Sequence, residues 1–151
     1  MNRILFVEDD INKIKQITEF LDFIRKDIPE FALEVKKSYQ SGLNAIVSNH
    51  YDLVLLDMSM HNFDKTVSET GGEFMQFAGE DILKEMAWND IIIKTIVVTQ
   101  YDIIGEKTLV ELKKHWKEKF DDIYIGTVFY SVNESDWRDE LFNFIKEVLN
   151  D

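Results

Sequence analysis

Short apolar runs alternate along this chain with longer stretches in which apolar residues recur every three or four positions. Uninterrupted runs of four to eight apolar residues are typical of strands that are buried on both faces of a parallel sheet. We therefore predict five strands, which cover residues 4–7, 31–35, 53–56, 91–98 and 123–130.

The stretches between these runs have the spacing of amphipathic helices. We predict five helices, over residues 11–28, 38–49, 79–86, 106–120 and 135–150. The first is expected to end at Pro29, the chain's only proline, and Ser135 is a candidate N-cap for the last. Strict alternation of strand and helix favours right-handed crossovers, so we predict an α/β fold: a doubly wound five-stranded parallel sheet between two layers of helices.

Acidic residues stand where the predicted strands end. Glu8 and Asp9 follow the first strand, Asp57 follows the third, and Thr99 follows the fourth. Ligands of doubly wound sheets bind beyond the carboxyl ends of the strands, so these side chains are expected to share one site. Clustered carboxylates repel one another unless a hard cation binds them, and Mg²⁺ prefers oxygen ligands. The sequence therefore predicts a Mg²⁺ site at this edge of the sheet.

Composition narrows the choice of partners and location. Lys and Arg number 17 against 29 Asp and Glu, for a net charge of −12, which disfavours direct nucleic-acid binding. There is no cysteine, which excludes disulfides, thiolate metal sites and a cysteine nucleophile. No apolar run approaches the roughly 20 residues of a membrane span, and the N-terminus turns acidic too early for a secretory signal. We expect a cytoplasmic protein with no membrane insertion.

Three motifs in this order resemble the receiver domains of response regulators in two-component signalling. They are ILFVEDD at the N-terminus, DLVLLDMSM in the middle and TIVVTQ at two-thirds of the chain. The resemblance covers most of the chain apart from about 61–77. It implies a flavodoxin-like (βα)5 fold and a single receiver-like domain over residues 1–151, with an inserted loop at 61–77.

The resemblance also implies roles for the strand-end residues. Asp57 would accept a phosphoryl group, Glu8 and Asp9 would hold Mg²⁺ together with Asp57 and the Ser59 carbonyl, and the Thr99 hydroxyl would turn toward the phosphoryl group. A histidine kinase or phosphotransfer protein would donate the phosphate, and a downstream protein effector would read it. No conventional turnover is expected beyond self-phosphorylation from a phosphodonor and autodephosphorylation.

Two departures from the family pattern concern the fifth strand. Receiver domains carry Lys followed by Pro at its end, where Tyr130 and Ser131 align here. Arg138 and Lys65 are candidates to supply the missing cation. Thr127 aligns with a position that is often aromatic in the family.

The third departure is the insertion that follows the acceptor strand. It adds about 14 residues after Met60 and contains His61 and Gly71-Gly72, which we interpret as a flexible turn. Because it leaves from the predicted site, we expect a lid, a partner-binding segment or a source of further ligands.

Three functions are open at this point. The first is a stand-alone phosphorylation switch, since the last predicted helix reaches the C-terminus and output is then expected through protein contacts. The second is a pseudo-receiver that acts as a phosphorylation-independent interaction module, which the missing lysine favours. The third, a haloacid-dehalogenase type of phosphohydrolase, needs a second Asp where Ser59 stands and ranks below the other two.

Overall fold

The computed structural model describes residues 1–66, 70–131 and 134–150. The strands within these ranges are, in chain order, β1 (Asn2–Val7), β2 (Phe31–Lys36), β3 (Leu53–Leu56), β4 (Met60–His61), β5 (Phe74–Met75), β6 (Thr95–Thr99), β7 (Ile103–Ile104), β8 (Lys107–Thr108) and β9 (Tyr124–Phe129). The main sheet is parallel, with five strands in the order β2-β1-β3-β6-β9. The strands β4 with β5, and β7 with β8, form two small antiparallel hairpins outside it.

Helices cover both faces of the main sheet. They are α1 (Ile11–Ile24), which continues into a 3-10 turn at Arg25–Asp27, α2 (Tyr39–Ser48), α3 (Ala78–Trp88), α4 (Leu109–Lys119) and α5 (Asp136–Leu149). Apolar residues of α1 and α5 form one core with one side of the sheet, and those of α2, α3 and α4 form a second core with the other side. The predicted three-layer α/β fold with a five-stranded parallel sheet is confirmed. None of the helices in the described ranges is long and apolar enough to cross a membrane.

The register of the three central strands brings their carboxyl ends together. Val7 of β1 pairs with Leu56 of β3, and Leu56 pairs with Val97 of β6. All residues of β3 and β6 are buried, as expected for strands with helices on both sides. The residues that follow β1 and β3 therefore face each other at one edge of the sheet.

The fourth strand of the main sheet is shorter than its apolar run indicates. The predicted strand 91–98 begins at Thr95 in the structure, so residues 91–94 form an irregular approach to β6. Ile93 is buried in this approach while Ile92 is 67% exposed. Apolar residues can pack into the core from a loop as well as from a strand, and the hydrophobic pattern does not distinguish a loop from a strand.

The predicted helices agree with the structure within a few residues at most ends. Ser38 caps α2 by accepting a hydrogen bond from the Ser41 N–H, and Thr108 caps α4 in the same way from Glu111. Ser135 occupies the N-cap position of α5, but its side chain makes no capping hydrogen bond. The helix predicted from residue 106 begins at Leu109, because the β7–β8 hairpin occupies the residues before it.

The segment 61–77 is not the structureless loop that its sequence predicts. Most of it folds into a hairpin, in which Met60 pairs with Met75 and His61 with Phe74; residues 67–69 lie outside the described residues. The residue after the first strand of the hairpin is bonded to the start of α2: the Gln40 N–H donates to the Asn62 carbonyl at 2.9 Å. Gly71 and Gly72 have φ angles of 91° and 70°, in agreement with the predicted turn. The hairpin starts directly beside the acidic strand ends.

Candidate functional site

Two buried carboxylates face each other where β1 and β3 end. Glu8 is 1% exposed and Asp57 is 4% exposed. The backbone holds both residues in the frame of the sheet, because the Glu8 N–H donates to the Lys36 carbonyl at 2.9 Å and the Asp57 N–H donates to the Val7 carbonyl at 3.1 Å. The structure thus brings together the predicted residues of two separate strands.

Asp9 lies at the rim of the same cluster. One carboxylate oxygen from each of Glu8, Asp9 and Asp57 lies within 4.8 Å of the others. Asp9 also contacts the hairpin. Its Oδ2 accepts a hydrogen bond from the His61 N–H at 3.1 Å and lies 3.0 Å from His61 Nδ1. The His61 ring meets the edge of the Phe74 ring at a centroid distance of 5.1 Å. Asp9 therefore connects the acidic cluster to the base of the hairpin.

A lysine from α1 occupies the space between the buried carboxylates. Lys13 is 1% exposed, and its Nζ lies 2.6 Å from Glu8 Oε1 and 3.2 Å from Asp57 Oδ1. The same ammonium donates a hydrogen bond of 2.8 Å to the Val98 carbonyl in β6. One side chain from the first turn of a helix thus contacts the ends of all three central strands.

Asp10 orients the helix that carries this lysine. Its side chain is the N-cap of α1 and accepts hydrogen bonds from the Asn12 and Lys13 N–H groups at 3.0 and 3.2 Å. The Asp10 N–H in turn donates to Glu8 Oε2 at 3.2 Å. The three acidic residues that follow β1 therefore have different contacts. Glu8 belongs to the buried cluster, Asp9 contacts the hairpin, and Asp10 caps α1.

Burial and charge act in opposite directions on the two buried partners. Burial raises the pKa of Glu8 well above its ordinary value, and the neighbouring Asp57 raises it further, against the attraction of Lys13. Burial alone lowers the pKa of Lys13, but the attraction of Asp57 and Glu8 outweighs it, so this pKa is raised. Lys13 therefore remains an ammonium group, and the cluster as a whole retains an excess of negative charge.

An aromatic residue fills the place where the family carries its strand-end lysine. Tyr130 is 1% exposed, donates its hydroxyl to Gln16 Oε1, and packs on Trp137 at a centroid distance of 5.2 Å. The Lys13 Nζ lies 5.7 Å from the centre of the Tyr130 ring. Tyr130 thus closes the site beside the ammonium group.

The two substitutes considered for the missing lysine lie elsewhere. Arg138 places its guanidinium 4.8 Å from the centre of the Trp137 ring, and Lys65 is exposed in the inserted hairpin. Lys13 is the cationic side chain that contacts the carboxylates, which corrects that expectation. The two candidates lie in the last helix and in the insertion, whereas the cation comes from the first helix.

The remaining predicted residues lie around the cluster. Thr99 is completely buried, and its hydroxyl accepts a hydrogen bond from the Tyr101 N–H at 3.2 Å. The Ser59 hydroxyl donates to the Gln76 carbonyl at 2.6 Å, which ties the residues after β3 to the chain that leaves the second strand of the hairpin. The Thr127 hydroxyl forms a hydrogen bond with the Tyr124 hydroxyl. Among the described residues, no hydrogen bond joins Thr127 to the clustered carboxylates.

The donor set fits a hard divalent cation. It consists of carboxylate oxygens, which are the ligands that Mg²⁺ prefers, and a single ammonium offsets only one of the three acidic side chains. Glu8 Oε1 is buried and, although Lys13 is close, accepts no well-aligned hydrogen bond from the described residues. Clustered carboxylates that a single ammonium does not fully neutralise are the condition under which a bound cation is favourable.

Sequence reasoning missed Lys13, although a signal for it was present. The buried residues of α1 are Lys13, Ile17, Leu21 and Ile24, whose spacing is that of a single helix face. Ile11, which appeared to begin the apolar stripe, is 63% exposed. Extending the stripe backwards from Ile17 by one turn leads to a lysine on a core-facing position, directly after an acidic strand end.

Comparison with known proteins places this geometry among response regulators. No protein-family model matches the chain. Among curated proteins, the Detocs response regulatory protein DtcB of Enterobacter cloacae is 27% identical over 154 residues, which cover 97% of this chain and 99% of that protein. The solved response regulator TrrA of Thermotoga maritima, in complex with Mg²⁺ and BeF, has a TM-score of 0.63 at 23% identity, over 99% of this chain and 100% of that one. A CheY-like receiver domain protein from Methanospirillum hungatei has a TM-score of 0.61 at 21% identity, over 98% and 94% of the two chains.

The chain therefore has the flavodoxin-like fold of response-regulator receiver domains, which confirms the resemblance inferred from its three motifs. DtcB and this chain correspond over nearly their whole lengths. The departures at the fifth strand and the insertion are variations within this fold rather than signs of a different one.

Proposed function

We propose that this protein is a receiver-type signalling protein that is phosphorylated on Asp57 in a Mg²⁺-dependent reaction by a histidine kinase or phosphotransfer protein. The observation that carries the proposal is the cluster at the carboxyl edge of the sheet, in which Asp57, Glu8 and Lys13 are in mutual contact and nearly excluded from water. A downstream protein reads the phosphorylated state through surface contacts.

The transfer step requires a free carboxylate oxygen on Asp57. That oxygen attacks the phosphorus of the donor, and the bond from phosphorus to the donor nitrogen or oxygen breaks. The bond's electron pair leaves with the donor, as neutral imidazole after proton uptake or as a carboxylate such as acetate. The product on this chain is an acyl phosphate, and positioning with charge neutralisation is the main work of such a site.

Mg²⁺ would be held by Glu8, Asp9, Asp57 and the Ser59 carbonyl. Bound there, the cation neutralises the negative charge of an incoming phosphoryl group and of the acceptor. Asp9 is well suited to the role because it is attached to His61 through one oxygen only, Oδ2. We retain Thr99 as the hydroxyl that responds to phosphorylation, since it ends the strand beside Val98, which the Lys13 ammonium contacts.

The similar proteins support this assignment. DtcB is a response regulatory protein, and TrrA was solved with Mg²⁺ and BeF, the latter a small anion of phosphoryl shape. The alternative of a pseudo-receiver, which interacts without phosphorylation, was motivated by the missing strand-end lysine. The contact between Lys13 and Asp57 weakens that argument, because an ammonium group from another part of the chain lies beside the proposed acceptor.

The test is the intact mass of the protein after incubation with Mg²⁺ and a small phosphodonor such as acetyl phosphate. We expect the wild type to gain one phosphoryl group, with no gain in Asp57→Asn or in the presence of excess EDTA. The Asp57→Asn variant is expected to keep its thermal stability or gain some, because Lys13 and Glu8 remain as a balanced pair.

Three outcomes would contradict the proposal. Mg²⁺ binding with no mass gain, also after incubation with a panel of histidine kinases, would favour the phosphorylation-independent module. A large loss of stability in Asp57→Asn would identify Asp57 as a structural residue. Catalytic turnover of a generic phosphate ester would instead revive the phosphohydrolase.

A further inference from the structure

The acceptor carboxylate has a cation on each of two sides in the receiver reaction, and this chain lacks the usual source of one of them. The end of the fifth strand carries Tyr130, whose ring is packed against Trp137. A phosphoryl group on Asp57 adds negative charge to a site that already contains Glu8 and Asp9. Asp57 therefore needs a fixed positive group beside it to offset this added charge.

Lys13 is the side chain with that position. Its Nζ is 3.2 Å from Asp57 Oδ1 and is anchored by a 2.8 Å hydrogen bond to the Val98 carbonyl, on the β6 side of the acceptor. Residues of the sheet and Tyr130 enclose it, so that its charge is little screened by water. An ammonium has three protons, so it can contact Glu8, Asp57 and the Val98 carbonyl at the same time.

We propose that Lys13 of α1 performs the phosphoryl-binding task of the family's strand-end lysine, so that the cation has moved from the fifth strand to the first helix. This inference rests on phosphorylation of Asp57, the proposed function. On phosphoryl transfer, the ammonium bonds to an oxygen of the new phosphoryl group while it keeps the Val98 carbonyl. The covalent step itself is unchanged, and Lys13 neither gains nor loses a proton in it.

The environment of Lys13 is difficult to explain by stability alone. Burying a lysine together with two carboxylates costs desolvation, and replacing a whole buried ion cluster by apolar residues of similar volume is often neutral or stabilising. The position is a core position, since Ile17, Leu21 and Ile24 continue the same helix face. A buried ion pair on an apolar stripe, at the predicted acceptor, is the arrangement expected of a functional charge.

The experiment compares Lys13→Met, which keeps the length and removes the charge, with Lys15→Met. Lys15 lies on the exposed side of the same helix, so this control makes the same change in net charge outside the site. We expect Lys13→Met to lower the rate of phosphoryl uptake from acetyl phosphate by about 100-fold, as for loss of one charge-stabilising group. Lys15→Met is expected to match the wild type.

Two binding measurements separate this role from a structural one. Mg²⁺ affinity, from isothermal titration, is expected to stay the same or rise in Lys13→Met, because removal of a nearby positive charge favours a cation. Binding of beryllofluoride, a phosphoryl mimic, in the presence of Mg²⁺ is expected to weaken in Lys13→Met, as followed by fluorine NMR. A structural lysine would lower both affinities together.

If Lys13→Met fails to fold, Lys13→Gln provides the same test, since its amide still donates hydrogen bonds but carries no charge. Uptake in either folded variant at the wild-type rate would overturn the assignment of Lys13 and leave the proposed function intact. No uptake in the wild type with Mg²⁺ bound, either from acetyl phosphate or from the panel of histidine kinases, would overturn both. Lower Mg²⁺ and beryllofluoride affinities by the same factor would make Lys13 structural.

Discussion

The acidic and the basic halves of the candidate site are built in different ways. Glu8 and Asp57 follow directly from strand ends, where the sheet's own hydrogen bonds fix their backbones. Lys13 stands in the first turn of a helix and reaches the same point through a long side chain. Short carboxylates must start close to where they act, whereas a lysine stem allows its ammonium to arrive from several elements. The acidic half therefore stands at the positions that the resemblance to receiver domains implies, and the basic half does not.

The largest effect on stability is expected from the basic half. Lys13→Met leaves two buried carboxylates without their ammonium, and loss of one partner of a buried pair costs about 3 kcal/mol. The measurement is urea unfolding in EDTA, in which Lys15→Met should differ from wild type by less than about 0.5 kcal/mol. Added Mg²⁺ should restore part of the loss in Lys13→Met. Equal stability of the two variants would show that the buried charges are relieved in another way.

The acidic half is expected to be most sensitive to its backbone. A Cβ on Gly79 would lie 2.3 Å from the Asp57 carbonyl oxygen, so Gly79→Ala must displace the acceptor loop or the start of α3. A cost of about 1–3 kcal/mol is expected for such overpacking. Gly42→Ala is the matched control, since its Cβ would lie 2.6 Å from a Val7 side-chain methyl group and would not meet the backbone of Asp57. Both should lower the free energy of unfolding, and only Gly79→Ala should weaken Mg²⁺ binding.

The raised pKa of Glu8 predicts a pH dependence of opposite sign to that of most acidic residues. Between the ordinary value of 4.5 and the higher folded-state pKa, the native protein holds a proton that the unfolded chain has released. Stability therefore falls as the pH rises through this window, when divalent cations are absent. The pKa of Lys13 is raised above 10.5, so this residue adds no slope in the same window.

Urea unfolding in EDTA at about pH 5 and about pH 8 measures this dependence. Glu8→Gln is expected to reduce the loss of stability between the two values, since glutamine does not titrate. An identical loss in the wild type and Glu8→Gln would mean that Glu8 is ionised throughout. With Mg²⁺ present, the wild type should lose less stability over the same range, because the cation favours the ionised form.

The smallest effect is expected where the two halves join, at the N-cap of α1. Asp10→Ala removes the side chain that accepts from the Asn12 and Lys13 N–H groups and should cost about 1 kcal/mol. Thr108→Ala removes the corresponding cap of α4 and should cost a similar amount of stability. We expect only Asp10→Ala to slow phosphoryl uptake, because it loosens the turn that carries Lys13. Equal uptake in both variants would show that Lys13 is positioned without the cap.

Much of the fold is predictable because burial on both faces leaves a direct trace in the sequence. Continuous apolar runs such as 53–56 mark strands, and acidic residues directly after them mark one edge of a parallel sheet. The predicted elements differ from the structure where an apolar stretch packs outside a strand or a polar stretch forms one. Residues 91–94 pack in an approach to β6, and 61–77 pairs with itself as a hairpin and docks on α2.

Several features can be read from the linear chain. They are the succession of strands along the sequence, the positions of Glu8, Asp9 and Asp57 directly after strands, and the absence of a lysine next to Tyr130 in the sequence. The identity of the ammonium group is a property of the folded molecule, since Lys13 meets Asp57 across 44 residues and Val98 across 85. Periodicity places a side chain on a face of its own helix. Which charges that face meets depends on how helix and sheet pack, and this packing is a contact between segments that are remote in the sequence.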